Sequence, residues 1–415
     1  MNKLNRAFFT LFLIIAPHIS SCASDFVVQE RPMECIRSFQ ELAYTRPDLY
    51  PQIDLVLPSA PWKIEAKIPL QKIEDYWVFE TQVVTSRSVN GKSEIWLVKD
   101  LIPTDESSQL NTNIFLIYQP ETQSWETISG EIEGSGLLAG DIFVTSDGSV
   151  WGKTVWDTIH ERANLEKVPA LSKFNESTRR FEFVIGVLEI PWTLFSYGSF
   201  PWPEIVLDNN DVFWIFAEND GIYRYDSVAQ KTEKQADLLG LDVTQTALSP
   251  DGNIYFKVYS EKIYSQESFF QLLDGMLYQF IPETKEIVSL KIPEEPWLVF
   301  SGMLVDHDNK LWLGAIGYRE LDDTWQLIHP DPKNMFVGAG DAYQSPPFLM
   351  LESSDRILWY RKFLDDARAD GTAWYDPRTG KGCMFTNLAA NVIEDAKQQL
   401  WLVADGKLYK LELAP

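Results

Sequence analysis

The residues best suited to recognition fall in the long segments that separate short apolar runs. Trp and Tyr present flat apolar faces with one polar edge, which suits stacking on sugars or anchoring a peptide. Arginine binds carboxylate or sulfate groups. Packing in the protein interior is the alternative for each single aromatic residue, because Trp and Tyr are mostly buried. The candidate ligand-binding residues are Trp156, His160, Arg162, Trp202, Tyr259, Trp297, Arg361 and Asp365.

Signatures of catalysis or metal binding are sparse. Residues 160–164 read His-Glu-Arg-Ala-Asn and begin like a zinc-protease helix, but Asn164 stands where the second histidine ligand is needed. The chain has only 4 His, too few for a histidine cluster. Residues 208–211 and 306–309 carry calcium-type oxygen ligands, yet their pattern is that of polar turns, which we favour. We therefore predict no metal site and no cofactor, leave calcium binding open, and assign no catalytic residue.

A polar turn followed by an apolar-aromatic-apolar run recurs seven times. The clearest copies are residues 249–256 (Ser-Pro-Asp-Gly-Asn-Ile-Tyr-Phe) and 307–314 (His-Asp-Asn-Lys-Leu-Trp-Leu-Gly). A second motif, such as Tyr-Asp-Pro-Arg-Thr-Gly at 375–380, follows most copies at a matching position. Two motifs in phase indicate a structural repeat. The aromatic positions are Trp96, Trp151, Trp214, Tyr255, Trp312, Trp359 and Trp401.

The spacing of these aromatic residues predicts the fold. They lie roughly 40–60 residues apart, and a four-stranded propeller blade takes about 40–50. We predict an all-β fold, a seven-bladed β-propeller of four-stranded antiparallel blades. The last repeat is one strand short where the sequence reaches Pro415, and residues 62–70 alternate apolar and polar with period two. We expect an N-terminal strand at about 62–70 to complete the last blade, since closure removes exposed sheet edges.

The longest insertions follow the aromatic strands. In a propeller these loops share one face with the connections between blades, while the opposite face keeps the tight turns. Functional residues concentrate on such elaborated loops. The insertions are predicted at Lys99–Asn113, Lys153–Val168, Lys257–Gly275 and Arg361–Gly371.

The repeat resembles a known family. The pattern Asp-x-x-Gly-x-apolar-Trp-apolar-Gly, followed by a Tyr-Asp-Pro-x-Thr-Gly turn, resembles the two-component-regulator propeller repeat over about residues 75–412. That resemblance implies a seven-bladed module of the kind found in the extracytoplasmic sensors of bacterial histidine kinases. The repeat is also similar to the broader class of extracytoplasmic propellers that includes the streptogramin lyases. Several copies lack the glycine, and the sensor role is not carried over.

The N-terminus resembles a bacterial lipoprotein signal peptide. Lys3 and Arg6 precede a short apolar run, and Ile-Ser-Ser-Cys at 19–22 matches a lipobox. This implies a signal peptide at 1–21, an acylated (palmitate-bearing) Cys22, and an extracytoplasmic protein anchored to the cell membrane or outer membrane. The alternative is an ordinary secretory signal cleaved near Ser21. Residues 22–60 are then a tether or wrapping coil, and residues 61–415 are the propeller domain.

Two further cysteines, Cys35 and Cys383, are candidates for a disulfide bond in an oxidising compartment. Two unrelated thiols are the alternative. The predicted ring places the N-terminal region beside the last blades, which favours the bond.

The formal net charge of −24 disfavours nucleic acid as a partner, because phosphate is repelled. The membrane is a partner only through the lipid anchor. We favour a binding module that recognises a glycan, peptide or envelope protein. The alternative is a lyase or glycoside-acting hydrolase with carboxylates at the mouth of the propeller channel.

Overall fold

A computed structural model of the chain describes residues 37–38, 62–70, 76–103, 112–132, 136–155, 168–187, 203–217, 220–238, 241–259, 277–290, 302–314, 317–320, 324–327, 348–362, 371–386, 391–404 and 407–413. The chain divides into two units, Met1–Arg31 and Pro32–Pro415, and every described residue belongs to the second. Within these ranges all regular elements are β-strands. No helix there has the length and hydropathy needed to cross a membrane.

The described strands form seven antiparallel sheets, which we call blades one to seven in chain order. Two strands precede the first blade, β1 (Arg37–Ser38) and β2 (Trp62–Pro69). Blade one contains β3 (Tyr76–Val89), β4 (Lys92–Pro103), β5 (Thr112–Gln119) and β6 (Ser124–Ser129). Blade two contains β7 (Glu131–Ile132), β8 (Gly136–Val144), β9 (Val150–Val155), β10 (Val168–Asn175) and β11 (Arg180–Val187). Blade three contains β12 (Glu204–Leu207), β13 (Val212–Ala217), β14 (Gly221–Asp226) and β15 (Lys231–Asp237).

The remaining blades repeat this order. Blade four contains β16 (Asp242–Leu248), β17 (Ile254–Tyr259), β18 (Leu277–Ile281) and β19 (Glu286–Leu290). Blade five contains β20 (Met303–Val305), β21 (Leu311–Leu313), β22 (Gly317–Arg319) and β23 (Trp325–Leu327). Blade six contains β24 (Phe348–Glu352), β25 (Leu358–Lys362), β26 (Gly371–Asp376) and β27 (Lys381–Thr386). Blade seven contains β28 (Val392–Glu394), β29 (Leu400–Ala404) and β30 (Lys407–Leu413).

The blades form a closed ring around their innermost strands. Contacts run from β12 to β16, β20, β24 and β28 in turn, then from β28 to β3 and from β3 to β8. Blades two and three meet through a shared apolar cluster that includes Leu171 and Ile205. The innermost strands therefore surround the central axis, and the predicted all-β propeller is confirmed.

The ring is closed by the N-terminal strand, as the alternation at 62–70 predicts. β2 pairs antiparallel with β30, from Trp62 opposite Leu413 to Pro69 opposite Lys407. The order of blade seven is thus β2-β30-β29-β28, four strands drawn from both ends of the chain. Ile68 and Leu70 pack beside Leu408, so the closing strand also contributes to the core between blades seven and one.

We call the strand that follows the turn in each blade its second strand: β4, β9, β13, β17, β21, β25 and β29. The seven aromatic residues lie on these strands and are all buried. Each faces the next blade around the ring. Trp96 packs edge-on against Phe174 of blade two, with ring centroids 5.3 Å apart. Trp401 in blade seven packs against Tyr118 of blade one, with centroids 6.2 Å apart. Burial of this aromatic surface between blades contributes to ring stability.

The turn before each second strand has a shared construction in blades two to seven. The residue six positions before the aromatic is Ser, Thr or Asp, and its backbone N–H donates to the carbonyl four residues later, as from Asp306 to Lys310. A residue with positive φ completes the turn, such as Gly252 (87°) or Asn309 (63°). Glycine and asparagine tolerate this left-handed conformation, which suits Gly148, Gly252 and Asn309; the other blades place Asp211, Arg356 and Gln398 there.

Blade one departs from the predicted loop boundaries. The segment after Trp96 was expected to leave the sheet at Lys99, yet β4 continues to Pro103 because β3 pairs with it along its whole length, to Tyr76 opposite Pro103. The expected insertion Lys99–Asn113 therefore shortens to residues 104–111. Blade six carries an additional outer strand, since Ser38 of β1 pairs with Cys383 of β27.

Candidate functional site

The strand order gives the ring two different ends. We define the turn face as the end that carries the turns at 90–91, 145–149, 208–212, 249–253, 306–310, 353–357 and 395–399. We define the loop face as the opposite end, where the second strands finish and the innermost strands begin. The long connecting segments of the chain attach at the loop face, because strands alternate in direction within each antiparallel blade.

On the turn face, hydrogen bonds connect turns of neighbouring blades. The backbone N–H of Ser146 donates to Oδ1 of Asp211 in the next blade at 2.7 Å. The N–H of Ser354 donates in the same way to Glu394 at 2.8 Å. Blade four has Gly252 at the position of Asp211, so it presents no side-chain acceptor there to blade three.

The aspartates of the polar turns that resembled calcium ligands accept hydrogen bonds from within their own repeats. Oδ1 of Asp306 accepts hydrogen bonds from the backbone N–H groups of Asp308 and Lys310, both at 2.9 Å. Its Oδ2 accepts one from Nε1 of Trp312 at 2.7 Å. Asp208 accepts an equivalent set, including one from Trp214. Within the described ranges no group of three or more His, Cys, Asp or Glu is placed to hold a metal ion.

The interface between blades two and three carries a buried charge. Lys153, on β9, is 6% exposed, and its Nζ lies 3.2 Å from Asp141 of its own blade and 3.2 Å from Glu204 of blade three. Burial alone lowers the pKa of Lys153, but Glu204 and Asp141 together outweigh it, so the pKa is raised. Because each contacting carboxylate oxygen lies 3.2 Å from Nζ of Lys153, the oxygens of Asp141 and Glu204 are at most twice that distance apart.

A second cation occupies the equivalent position between blades six and seven. Nη1 of Arg361, on β25, donates to Oδ1 of Asn391 at 3.0 Å. Glu204 stands opposite Phe216, two residues after the blade-three aromatic. Val392, the residue after Asn391, pairs with Leu402, so Asn391 stands opposite Val403. Val403 lies two residues after the blade-seven aromatic. Asn391 is therefore the positional equivalent of Glu204.

A third cation follows the blade-four aromatic. Lys257 on β17 is 5% exposed, and burial lowers its pKa to about 7. Lysines with such values are close to half protonated at neutral pH, unlike ordinary surface lysines. Lys153, Lys257 and Arg361 thus occupy equivalent positions, two residues after the aromatic in blades two, four and six, towards the loop-face end of their strands.

The structure describes only part of the sequence-predicted site. Arg361 is half-buried on β25, and Tyr259 is the last residue of β17 at the loop face. The other six ligand-binding candidates, Trp156, His160, Arg162, Trp202, Trp297 and Asp365, lie outside the described residues, as do Cys22 and Cys35. Cys383 lies on β27 of blade six, opposite Ser38 of β1.

Sequence reasoning missed Lys153, Lys257, Asp141, Glu204 and Asn391. A signal was present, since each cation, including Arg361, lies two residues after its blade aromatic. The partners Glu204 and Asn391 belong to no sequence motif. The strand of the next blade that faces each basic residue determines which residue becomes its partner.

Comparisons with solved structures return propeller-containing proteins at low similarity. An extracellular domain assigned to a hybrid two-component system of B. thetaiotaomicron is 15% identical, with a TM-score of 0.47 over 83% of this chain and 42% of that one. The structure described as YCF48 bound to D1 peptide is 12% identical, with a TM-score of 0.49 over 89% of this chain and 97% of that one. PorZ, a surface component of the type-IX secretion system of Porphyromonas gingivalis, is 14% identical, with a TM-score of 0.45 over 82% and 48%.

This chain spans less than half the length of the first of these proteins. No protein-family model matches the sequence, and no curated protein matches it. The fold therefore rests on the strand order of the chain itself.

Proposed function

We propose that this protein is an extracytoplasmic binding module, anchored by lipid at Cys22, that recognises a glycan, peptide or partner protein through its loop face. The observation that carries the proposal is the asymmetry of the ring. The turn face is occupied by short hydrogen-bonded turns, whereas the segments bearing Trp156, Trp202 and Trp297 attach at the loop face. Rigid strands that present variable connections at one end are a common design for binding sites.

Ligand binding is tested with the full mature chain on a glycan array and in pull-downs from cell-envelope extracts. Trp156→Ala, Trp202→Ala and Trp297→Ala combined should abolish the signal, since aromatic anchors dominate such interfaces. Val228→Ala is the matched surface control, because Val228 is 83% exposed in a blade-three turn. Signals that survive the triple variant would contradict a loop-face site.

Anchoring is tested separately. Cys22→Ser should move the protein from the membrane fraction to the soluble extracytoplasmic fraction, because it removes the acceptor for acylation. Unchanged membrane association would exclude the lipid anchor and leave the binding role intact.

The second candidate is a lyase or glycoside-acting hydrolase, favoured by the Asp141–Glu204 pair beside Lys153. Two nearby carboxylates are what glycoside hydrolysis requires. Here an ammonium group lies 3.2 Å from both, so each takes part in an ion pair with Lys153. Turnover of acidic or neutral oligosaccharides that is lost in Glu204→Gln would establish the enzyme and displace the binding module.

A further inference from the structure

The interface between blades two and three contains two buried polar atoms without a hydrogen-bond partner among the residues that the structure describes. They are Nε1 of Trp151 and the hydroxyl oxygen of Tyr225. Both side chains are 2% exposed, so bulk solvent does not reach them. Their rings pack edge-on across the interface, with centroids 6.0 Å apart. Burying a polar group without a hydrogen bond is unfavourable, so this pair of atoms calls for a further partner.

The tryptophans at the same position in the other blades have an acceptor. In blades three, five and seven the indole N–H donates to an aspartate six residues earlier, as from Trp312 to Asp306 at 2.7 Å. Blade six uses the hydroxyl of Ser353, and blade one uses a glutamate. Blade two has Thr145 at the aspartate position. Of the second-strand tryptophans that the structure describes, only Trp151 is left without an acceptor in the protein.

Thr145 shapes its turn without accepting the indole hydrogen bond. Its Oγ1 donates to Oδ1 of Asp147 at 2.6 Å and lies 3.1 Å from the carbonyl oxygen of Ser149. The equivalent Ser353 makes the same two contacts and also accepts from Trp359 at 3.1 Å. With threonine in place of aspartate, blade two lacks the second carboxylate oxygen that accepts in blades three, five and seven. A water oxygen can replace that oxygen as acceptor.

Tyr225 supplies a second partner for a water molecule at this position. It is the penultimate residue of β14, which ends at the turn face, and its ring packs on Trp151. The same pairing occurs between blades five and six, where Trp312 packs against Tyr375 with centroids 6.3 Å apart. A buried water needs two to four polar partners. The indole N–H is a donor, and the phenol hydroxyl can donate or accept.

We infer that a buried water molecule bridges Nε1 of Trp151 and the hydroxyl of Tyr225, in the place that the aspartate oxygen has in blades three, five and seven. Phe213 contacts both rings, with centroids 5.1 Å from Trp151 and 6.2 Å from Tyr225. The site is thus enclosed by aromatic rings and suits a single small uncharged molecule with hydrogen-bonding capacity. The water accepts from the indole and completes the hydrogen bonding of the phenol.

A crystal structure of the full mature chain, at a resolution that places ordered water, tests the inference directly. We expect a water oxygen within about 3.2 Å of both atoms. In Thr145→Asp the new carboxylate should accept from Trp151 at about 2.7–3.0 Å and displace the water. Asp306 and Asp308 show that one turn holds two aspartates at this spacing. A dry site, a protein acceptor for the indole, or a water that contacts only one of the two atoms would overturn the inference.

Thermal denaturation of Tyr225→Phe gives a second test in solution. Loss of the hydroxyl should lower the melting temperature by about 2–4 °C, because the water loses one of its partners. Tyr223→Phe is the matched positive control, since Tyr223 lies on the same strand and its hydroxyl donates to Asp220. A buried hydroxyl without any partner is unfavourable, so its removal would leave the melting temperature unchanged or raise it. Either of those results for Tyr225→Phe would contradict the bridging water.

Discussion

Nε1 of Trp312 donates a 2.7 Å hydrogen bond to Oδ2 of Asp306, six residues earlier in the chain. The same offset joins Trp401 to Asp395 at 2.9 Å. One aspartate therefore shapes the turn with its first oxygen and fixes the buried indole with its second. The repeat motif encodes this connection between the turn face and the core.

Asp306→Ala should lower the free energy of unfolding by about 2–3 kcal/mol, because two turn N–H groups and the buried Trp312 indole lose their acceptor. Chemical denaturation followed by tryptophan fluorescence measures the change. Asp308→Ala is the control, since its side chain is 71% exposed in the same turn. Equal effects of the two substitutions would show that the hydrogen bonds to Asp306 contribute nothing to stability.

Gly252 marks the interface where blade four presents no turn-face acceptor. Gly252→Asp should create, between blades three and four, the equivalent of the contact that Asp211 makes with Ser146 between blades two and three. No atom lies within 4 Å of the new Cβ. Gly252→Ala has the same positive-φ strain at 87° without a new acceptor. We expect the Asp variant to be more stable than the Ala variant by about 1 kcal/mol. A less stable Asp variant would mean that no inter-blade bond forms.

The β2–β30 pairing predicts that the ring depends on the N-terminal strand. Removing residues 1–70 deletes β2 and exposes the edge of β30, so the protein should melt at a lower temperature and associate through that edge. A synthetic peptide of residues 60–71 added in trans should restore the monomer. Light scattering and thermal denaturation report both effects. A truncated protein with unchanged melting and mass would show that the clasp is dispensable.

The pairing of Ser38 with Cys383 brings the N-terminal segment to the strand that carries one of the two cysteines. We predict a disulfide between Cys35 and Cys383 in protein exported to an oxidising compartment. An extended chain covers about 10 Å in three residues, so the bond requires a bend between Cys35 and Ser38. Alkylation and mass spectrometry without reductant should find neither thiol free. Cys383→Ser then leaves Cys35 reactive, whereas two alkylated cysteines in the unmodified chain would refute the bond.

Lys257 predicts a pH dependence of stability. Its pKa falls from 10.5 to about 7 on folding, so the unfolded chain binds more protons between these values. Stability from this group therefore rises with pH across that window, by up to about 1.4 kcal/mol per pH unit. Lys257→Met removes the titration. The difference between the Met variant and the unmodified protein should shrink from pH 7 to pH 10. A constant difference would mean that Lys257 stays charged in the folded state.

Fold and closure could be predicted because their signals are local. The period-two alternation of 62–70, the polar turn and the aromatic that follows it each lie within about ten residues, where strand geometry and turn chemistry act. The end of β4 could not be predicted in the same way. It depends on how far β3 continues beside it, which is set by a partner strand and not by the residues after Trp96.

The sequence alone determined that seven similar units form a ring. It also determined that the strand at 62–70 completes the last blade, because a strand with no partner in its own repeat pairs with the free sheet edge that the last repeat leaves. Only the tertiary structure decided which charges meet. Glu204 lies 51 residues from Lys153, and Asn391 lies 30 residues from Arg361. These pairs exist because each second strand faces the innermost strand of the next blade, an orientation that arises only when the blades pack.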